Sequence, residues 1–217
     1  MLALICRRAV RGRPEHNARA ARVLPGPYHR LVLPIARPLP LVLRTGRLLL
    51  RRPGPDDAEA CSSLEGDPRT ARYRPGGPLD RQASDDDLAQ NLCDWDEDGL
   101  GYWFVERHGE IIGRTGQRRI DTPTLLLPGV EPERLLNTYY RFTPSSWGTG
   151  LGTEAAQAAL DATRAAGLSY PAVAITTVDN LPAQRLAQRL GMTFHRRVPV
   201  HGLPDSVELR VELDSPA

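Results

Sequence analysis

The sequence predicts an α/β domain with a mixed central sheet of about seven strands, flanked by about four helices. Two patterns carry that prediction. In the second half, runs rich in β-branched and aromatic residues alternate with runs of good helix formers, in strand–helix–strand–helix order. In the first half, two strand-like runs are separated only by Arg107-His108-Gly109, a spacing that makes an antiparallel hairpin. The 217 residues, 41% apolar and 25% charged, have room for one such domain with a sizeable core and extra sequence at one end.

In chain order, residues 43–52 (LRTGRLLLRR) read as a first strand, and Pro55-Asp56-Asp57 opens a helix running to about Glu65. A Gly- and Pro-rich turn follows around residues 75–78. Residues 84–95 predict a second helix, started by a Ser-x-x-Asp capping box. Residues 102–106 and 111–118 are the two hairpin strands. Residues 120–136, with prolines at 123, 128 and 132, form a long connection expected to shape a binding pocket. Residues 137–143 (NTYYRFT) have strand composition and are closed by Pro144. Residues 154–166 place Ala155, Ala156, Ala159, Leu160, Thr163 and Ala166 on one face of a helix. A β-branched strand over 172–178, a short helix over 182–190, and closing strands near 193–199 and 207–213 complete the pattern.

Between the 137–143 strand and its helix lies Trp147-Gly148-Thr149-Gly150-Leu151-Gly152-Thr153. A strand turning through three glycines into a helix leaves unpaired backbone N–H groups at a helix start. The glycines admit a ligand closely, and the helix dipole favours negative charge there. The loop therefore reads as a pyrophosphate cradle. A Walker A loop needs Lys followed by Ser or Thr, whereas all 28 Lys-plus-Arg residues of this chain are Arg. The same absence excludes Schiff-base and pyridoxal-phosphate lysines. A dinucleotide fingerprint needs a third glycine where Thr153 stands.

The net charge of +2 is unevenly placed. Residues 1–40 hold eight Arg and one Glu, so +7; the remainder holds 20 Arg and 25 acids, so −5. The Arg- and Pro-rich stretch 1–40 is expected to be a disordered extension, with a targeting segment as the alternative, and the domain to begin near residue 41. An acidic domain is a poor candidate for nucleic acid and suits amine or cationic partners. The three cysteines lack metal-ligand spacing, so no metal is expected and a reducing, cytoplasmic setting is. No apolar run reaches the length of a membrane span.

Four segments, in order over roughly residues 42–199, resemble the GNAT superfamily of N-acetyltransferases, in the branch of the ribosomal-protein alanine acetyltransferases. They are the loop above, the opening Thr45-Gly46-Arg47-Leu48-Leu49-Leu50-Arg51, the hairpin Gly101-Tyr102-Trp103-Phe104-Val105-Glu106 with Gly109-Glu110-Ile111-Ile112-Gly113, and Asn180 followed by Arg189-Leu190-Gly191-Met192. The resemblance implies a bacterial enzyme with acetyl-CoA as co-substrate. Trp147, Gly148, Thr149, Gly150, Leu151, Gly152 and Thr153 would hold its pyrophosphate, and main-chain groups of Arg141, Phe142 and Thr143 its pantetheine arm. It also implies that Asn180 bonds that arm and that Arg185 and Arg189 meet CoA phosphates. Asn180 is alternatively a turn residue ahead of Pro182, and the two arginines a solvated helix face.

The positions where this family commonly carries its proton donor hold Ala183 and Ala187, which with Leu186 and Leu190 form an apolar face. Water or Tyr140 is left to protonate the departing thiolate, and Glu106 is expected to be the base, unless it is a surface carboxylate facing Arg107. Tyr102 and Trp103 are expected to wall the acceptor pocket, with core packing as the alternative. The leading expectation is direct acetyl transfer to a primary amine, of a protein N-terminus or a small molecule. The alternatives are a CoA-binding module without catalysis and a dinucleotide-dependent enzyme. A homodimer is possible in this architecture.

Overall fold

The structure is a computed structural model, and it describes residues 35–121, 134–200 and 203–213. In chain order it contains β1 (Val42–Arg44), β2 (Leu49–Arg51), α1 (Ala58–Glu65), α2 (Arg81–Glu97), β3 (Tyr102–Arg107), β4 (Glu110–Asp121), β5 (Arg134–Phe142), α3 (Leu151–Ala165), β6 (Ala172–Thr177), α4 (Leu181–Arg189), β7 (Thr193–Val200) and β8 (Leu203–Val211). The strands form one sheet in the order β1-β2-β3-β4-β5-β6-β8-β7.

The expected mixed α/β sheet is present, with eight strands in place of about seven. The extra strand arises because the expected strand 43–52 is a hairpin: Thr45 N–H donates to Leu48 O at 3.0 Å, folding β1 back onto β2. The second helix begins three residues before the expected capping box. Asp80 is its N-cap, accepting from Ala83 N–H at 2.8 Å, while Ser84 is buried within the helix. Packing also reaches back past residue 41. Leu39 is buried, Ile35 packs against the core, and Ala36 N–H donates to Ala166 O at 3.0 Å. The expectations for residues 1–34, and for most of the connection 120–136, fall outside the described residues.

One pairing sets up the site. All sheet neighbours are antiparallel except β5 and β6, whose parallel ladder holds only Leu136↔Ala172 and Asn137↔Val173. Beyond that point β5 stays paired to β4 as far as Phe142, and β6 to β8 as far as Thr177, so the sheet opens a splay between them. Side chains alternate across a strand. Leu136, Tyr140 and Phe142 therefore face the larger core with α3 and α4, alongside Leu160, Ala174 and Leu209. Asn137, Tyr139 and Arg141 face the other side, where α1 and α2 cover a smaller core of Cys61, Leu64, Leu88 and Phe104.

Candidate functional site

The glycine loop connects the end of β5 to the start of α3. Gly148 and Gly150 have φ of 73° and 79°, left-handed values that cost a residue with a Cβ about 1–2 kcal/mol. Gly150 is the N-cap of α3, and Glu154 N–H makes the first helical bond, to Gly150 O at 3.1 Å. By helix geometry the N–H groups of Leu151, Gly152 and Thr153 come before it, with no helical carbonyl to meet. A Cβ added at Gly148 would touch nothing within 4 Å, so the space above the loop is open. Gly152 lies instead against Phe142 and Leu186, where an added Cβ would come within 3.3 Å of both, so it sets the packing of the helix start. A pyrophosphate fits the donors and the open space of this cradle.

The cradle is anchored by residues whose role the sequence did not disclose. Glu154, in the first turn of α3, accepts from Thr45 Oγ1 at 2.6 Å, Arg47 Nε at 2.6 Å and Arg47 N–H at 3.1 Å. Arg47 Nη1 also donates to Thr149 O at 3.2 Å. The turn between β1 and β2 is thus fastened to the loop, and it brings a guanidinium to the positive end of α3. Partial burial pushes the Glu154 carboxyl up, but the bonds from Thr45 and Arg47 outweigh that effect and hold it below its ordinary value. This clasp contributes fully above the ordinary carboxylate pKa and is lost as pH falls through the lowered one. On the other side of the loop, Trp147 Nε1 donates to Phe142 O at 2.8 Å and Thr149 Oγ1 to Ser146 O at 2.6 Å.

At the splay, main-chain direction alternates along β5. Leu136 N–H donates toward β6, to Pro171 O at 2.9 Å, so Tyr140 presents its main-chain groups to the opening and Phe142 its N–H, its carbonyl being bound by Trp147 Nε1. Arg141 and Thr143 have the opposite phase. Thr143 N–H is bound to Ile112 O of β4 at 2.8 Å, so of the three expected pantetheine partners only Phe142 faces the splay. Tyr140 closes the α3/α4 side, its hydroxyl donating to Ala183 O at 2.7 Å. Burial pushes the Tyr140 pKa well up, so it keeps its proton at neutral pH.

Of six other expected site residues, four have local duties and two lie exposed. Asn180 is the N-cap of α4, its amide donating to Thr176 Oγ1 at 2.8 Å and accepting from Ala183 N–H at 3.4 Å, the turn role foreseen as its alternative. Arg185 lies exposed on α4, as does Arg189. Glu106 is 2.5 Å from Arg51 Nε, and the same guanidinium binds Asp57 at 2.6 and 2.7 Å. Glu106 stands on β3, two strands from β5, so it reads as an ion-pair residue tying β2 to β3 and not as the base. Trp103 is wholly buried in the larger core, with its Nε1 on Pro40 O at 3.0 Å, and is not a pocket wall. Adjacent residues on a strand face opposite sides, and Tyr102 faces the α1/α2 side. There it stacks on Tyr139 at 4.8 Å and accepts from Asn137 Nδ2 at 3.2 Å.

Two further carboxylates flank the splay on that side. Glu65 of α1, fully buried, accepts from the Tyr139 hydroxyl at 3.0 Å and draws in Arg74, Arg114 and Arg141 at 2.7, 2.8 and 3.2 Å. Glu208 of β8, 1% exposed, is 3.0 Å from Arg196 Nε through Oε2. Its Oε1 is buried without a hydrogen bond among the described residues. Glu208 pairs with Ile175, two residues beyond the last β5–β6 pair, as Tyr139 is on β5. The two therefore lie level across the splay. The free thiol of Cys61, on the buried face of α1, is pushed up to about 11 by burial, which outweighs the nearby Arg114.

The acetyltransferase (GNAT) domain family matches residues 47–193, well over half of the chain. Among solved structures, an acetyltransferase from Agrobacterium tumefaciens str. C58 superimposes with a TM-score of 0.65 at 24% identity, covering 78% of this chain and 93% of that one. RimL, a ribosomal L7/L12 alpha-N-protein acetyltransferase solved with coenzyme A, gives a TM-score of 0.65 at 15% identity, covering 82% and 99%. The microcin C7 self-immunity acetyltransferase MccE, solved with acetyl-CoA and AMP, gives 0.60 at 15% identity, covering 77% and 93%. At such identities these structures establish a shared fold. Together with the sequence match to the domain, they show that the chain belongs to the GNAT acetyltransferase family.

Proposed function

We propose that the protein binds acetyl-CoA and transfers its acetyl group directly to a primary amine, of a protein N-terminus or a small molecule. The observation that carries this reading is a strand splay opening beside an anion cradle at the start of one helix. The cradle suits the pyrophosphate, and the Phe142 N–H an acceptor on an extended amide arm. Bound there, acetyl-CoA would supply a thioester carbonyl. The N–H of Tyr140, facing the splay, suits the oxyanion that develops on it.

The C–S bond breaks as the C–N bond forms. Glu208 takes the amine proton, directly or through water, and the thiolate is protonated by water, since the Tyr140 hydroxyl is bound to Ala183 O and holds its proton tightly. Direct transfer is favoured because the free Cys61 thiol is protonated and buried away from the splay. Alanines at 183 and 187 favour a second reading, a CoA-binding module without catalysis.

Calorimetric titration of the full chain with acetyl-CoA, followed by CoA release in the presence of an amine panel, separates the two. Binding with acetylation supports the enzyme, and binding without it supports the module. Gly150→Val is expected to raise the acetyl-CoA Kd about tenfold, because Val relaxes the free loop out of the left-handed φ that the cradle must regain on binding. An unchanged Kd would mean that the loop is only a turn.

A further inference from the structure

We infer that the acceptor amine carries an anionic group, a carboxylate or a phosphate, seated against Arg141 and Arg74 on the α1/α2 side of the splay; this rests on the acetyl-transfer reading. The α1/α2 side is the side on which charged groups meet the opening. On the opposite side α3 and α4 cover the sheet, and the Tyr140–Ala183 bond closes the floor. On the α1/α2 side, Asn137, Tyr139 and Arg141 edge the opening and are only partly buried.

The groups there hold more hydrogen-bond donors than acceptors. Three guanidinium groups converge on Glu65, and Asp87 offsets only Arg114, so three cations against two carboxylates leave one positive charge. A guanidinium also carries more N–H donors than a carboxylate has acceptor sites. The surplus is visible in the geometry. Arg141 Nε donates to the Tyr139 hydroxyl at 2.6 Å and Nη1 to Thr70 Oγ1 at 3.3 Å, while its Nη2 donates to nothing among the described residues. Arg74 Nη1 and Arg114 Nε are each paired with Glu65, at 2.7 and 2.8 Å, and Arg114 is paired with Asp87 as well. The spare donor is therefore on Arg141, whose side chain is partly open to the splay and can meet an anion there. The balance of the whole domain points the other way, since −5 over residues 41–217 suits a cation. Charge at contact distance outweighs charge spread over a screened surface, so the local arginines decide.

The test uses the full chain loaded with CoA and two matched pairs, O-phosphoethanolamine against ethanolamine and glycine against glycinamide. The anionic member of at least one pair is expected to bind about tenfold more tightly, the effect of one charge-assisted contact. The pair that discriminates tells phosphate from carboxylate. Arg74→Gln should collapse the ratio within that pair, and Arg74→Lys should restore part of it. Equal binding within both pairs, no binding of either anionic member, or an equal loss for both members in Arg74→Gln overturns the proposal. Acetylation of the same four amines is measured separately. Anion-selective binding without acetylation sinks the transfer reading alone, whereas acetylation without anion preference sinks this proposal alone.

Discussion

Glu65→Ala is expected to destabilise the protein by about 3–5 kcal/mol in urea unfolding. Glu65 is fully buried and is the shared counter-ion of Arg74, Arg114 and Arg141. Removing it leaves these cations against one another in a region of low polarity. It also strips the Tyr139 hydroxyl of its acceptor at 3.0 Å. The three arginines do not suffer equally. Arg74 and Arg141, with side chains 16% and 10% exposed, have some access to water. Arg114, at 2%, has none and keeps Asp87 as its one carboxylate partner among the described residues. The cost is therefore expected toward the lower end of the range. Glu65→Gln keeps the shape, so a similar cost there assigns the effect to charge, and a much smaller one assigns it to packing. A loss below about 1 kcal/mol in Glu65→Ala would mean that water already screens the cluster.

The parts legible in the sequence were those encoded by neighbours along the chain. The β3–β4 hairpin, α3 and the cradle each lie within one short window, where period and glycine placement suffice. The β1–β2 hairpin was missed because Thr45-Gly46 interrupts an otherwise uniform apolar and basic run, and the bond that makes the turn closes through Leu48. Tyr102 and Trp103 show a second limit. Alternation says that two adjacent residues face opposite sides, but only the assembled sheet says which side faces the splay. Glu106 looked available because its partner Arg51 is 55 residues away in sequence. Glu65 and Tyr139, 74 residues apart, belong to a cluster of which no local window contains more than a fragment. Burial created those pairs, since a charge placed in a core must find a partner wherever the fold offers one.

Glu208→Gln is expected to lower kcat about a hundredfold, the usual contribution of a positioned general base. The affinity for acetyl-CoA should change little, because the cradle lies at the start of α3 and not on β8. What separates the candidate carboxylates is which of them has an oxygen to spare. Glu106 is held by Arg51, which Asp57 also grips, and it stands two strands from β5 on the side away from β6. Glu65 is surrounded by three guanidinium groups and a phenol. Glu208 has one ion pair, through Oε2, and a second oxygen without a partner among the described residues, on the strand next to β6. A base needs that spare lone pair more than it needs exposure, since the proton it receives must displace no existing bond. Gln keeps the size and the bond from Arg196 but cannot take the proton. Glu106→Gln serves as the contrast and should leave kcat within about twofold while lowering stability through the loss of the Arg51 pair. The opposite result, a large loss of kcat in Glu106→Gln and none in Glu208→Gln, would return the base to β3 and require the amine to approach across β4.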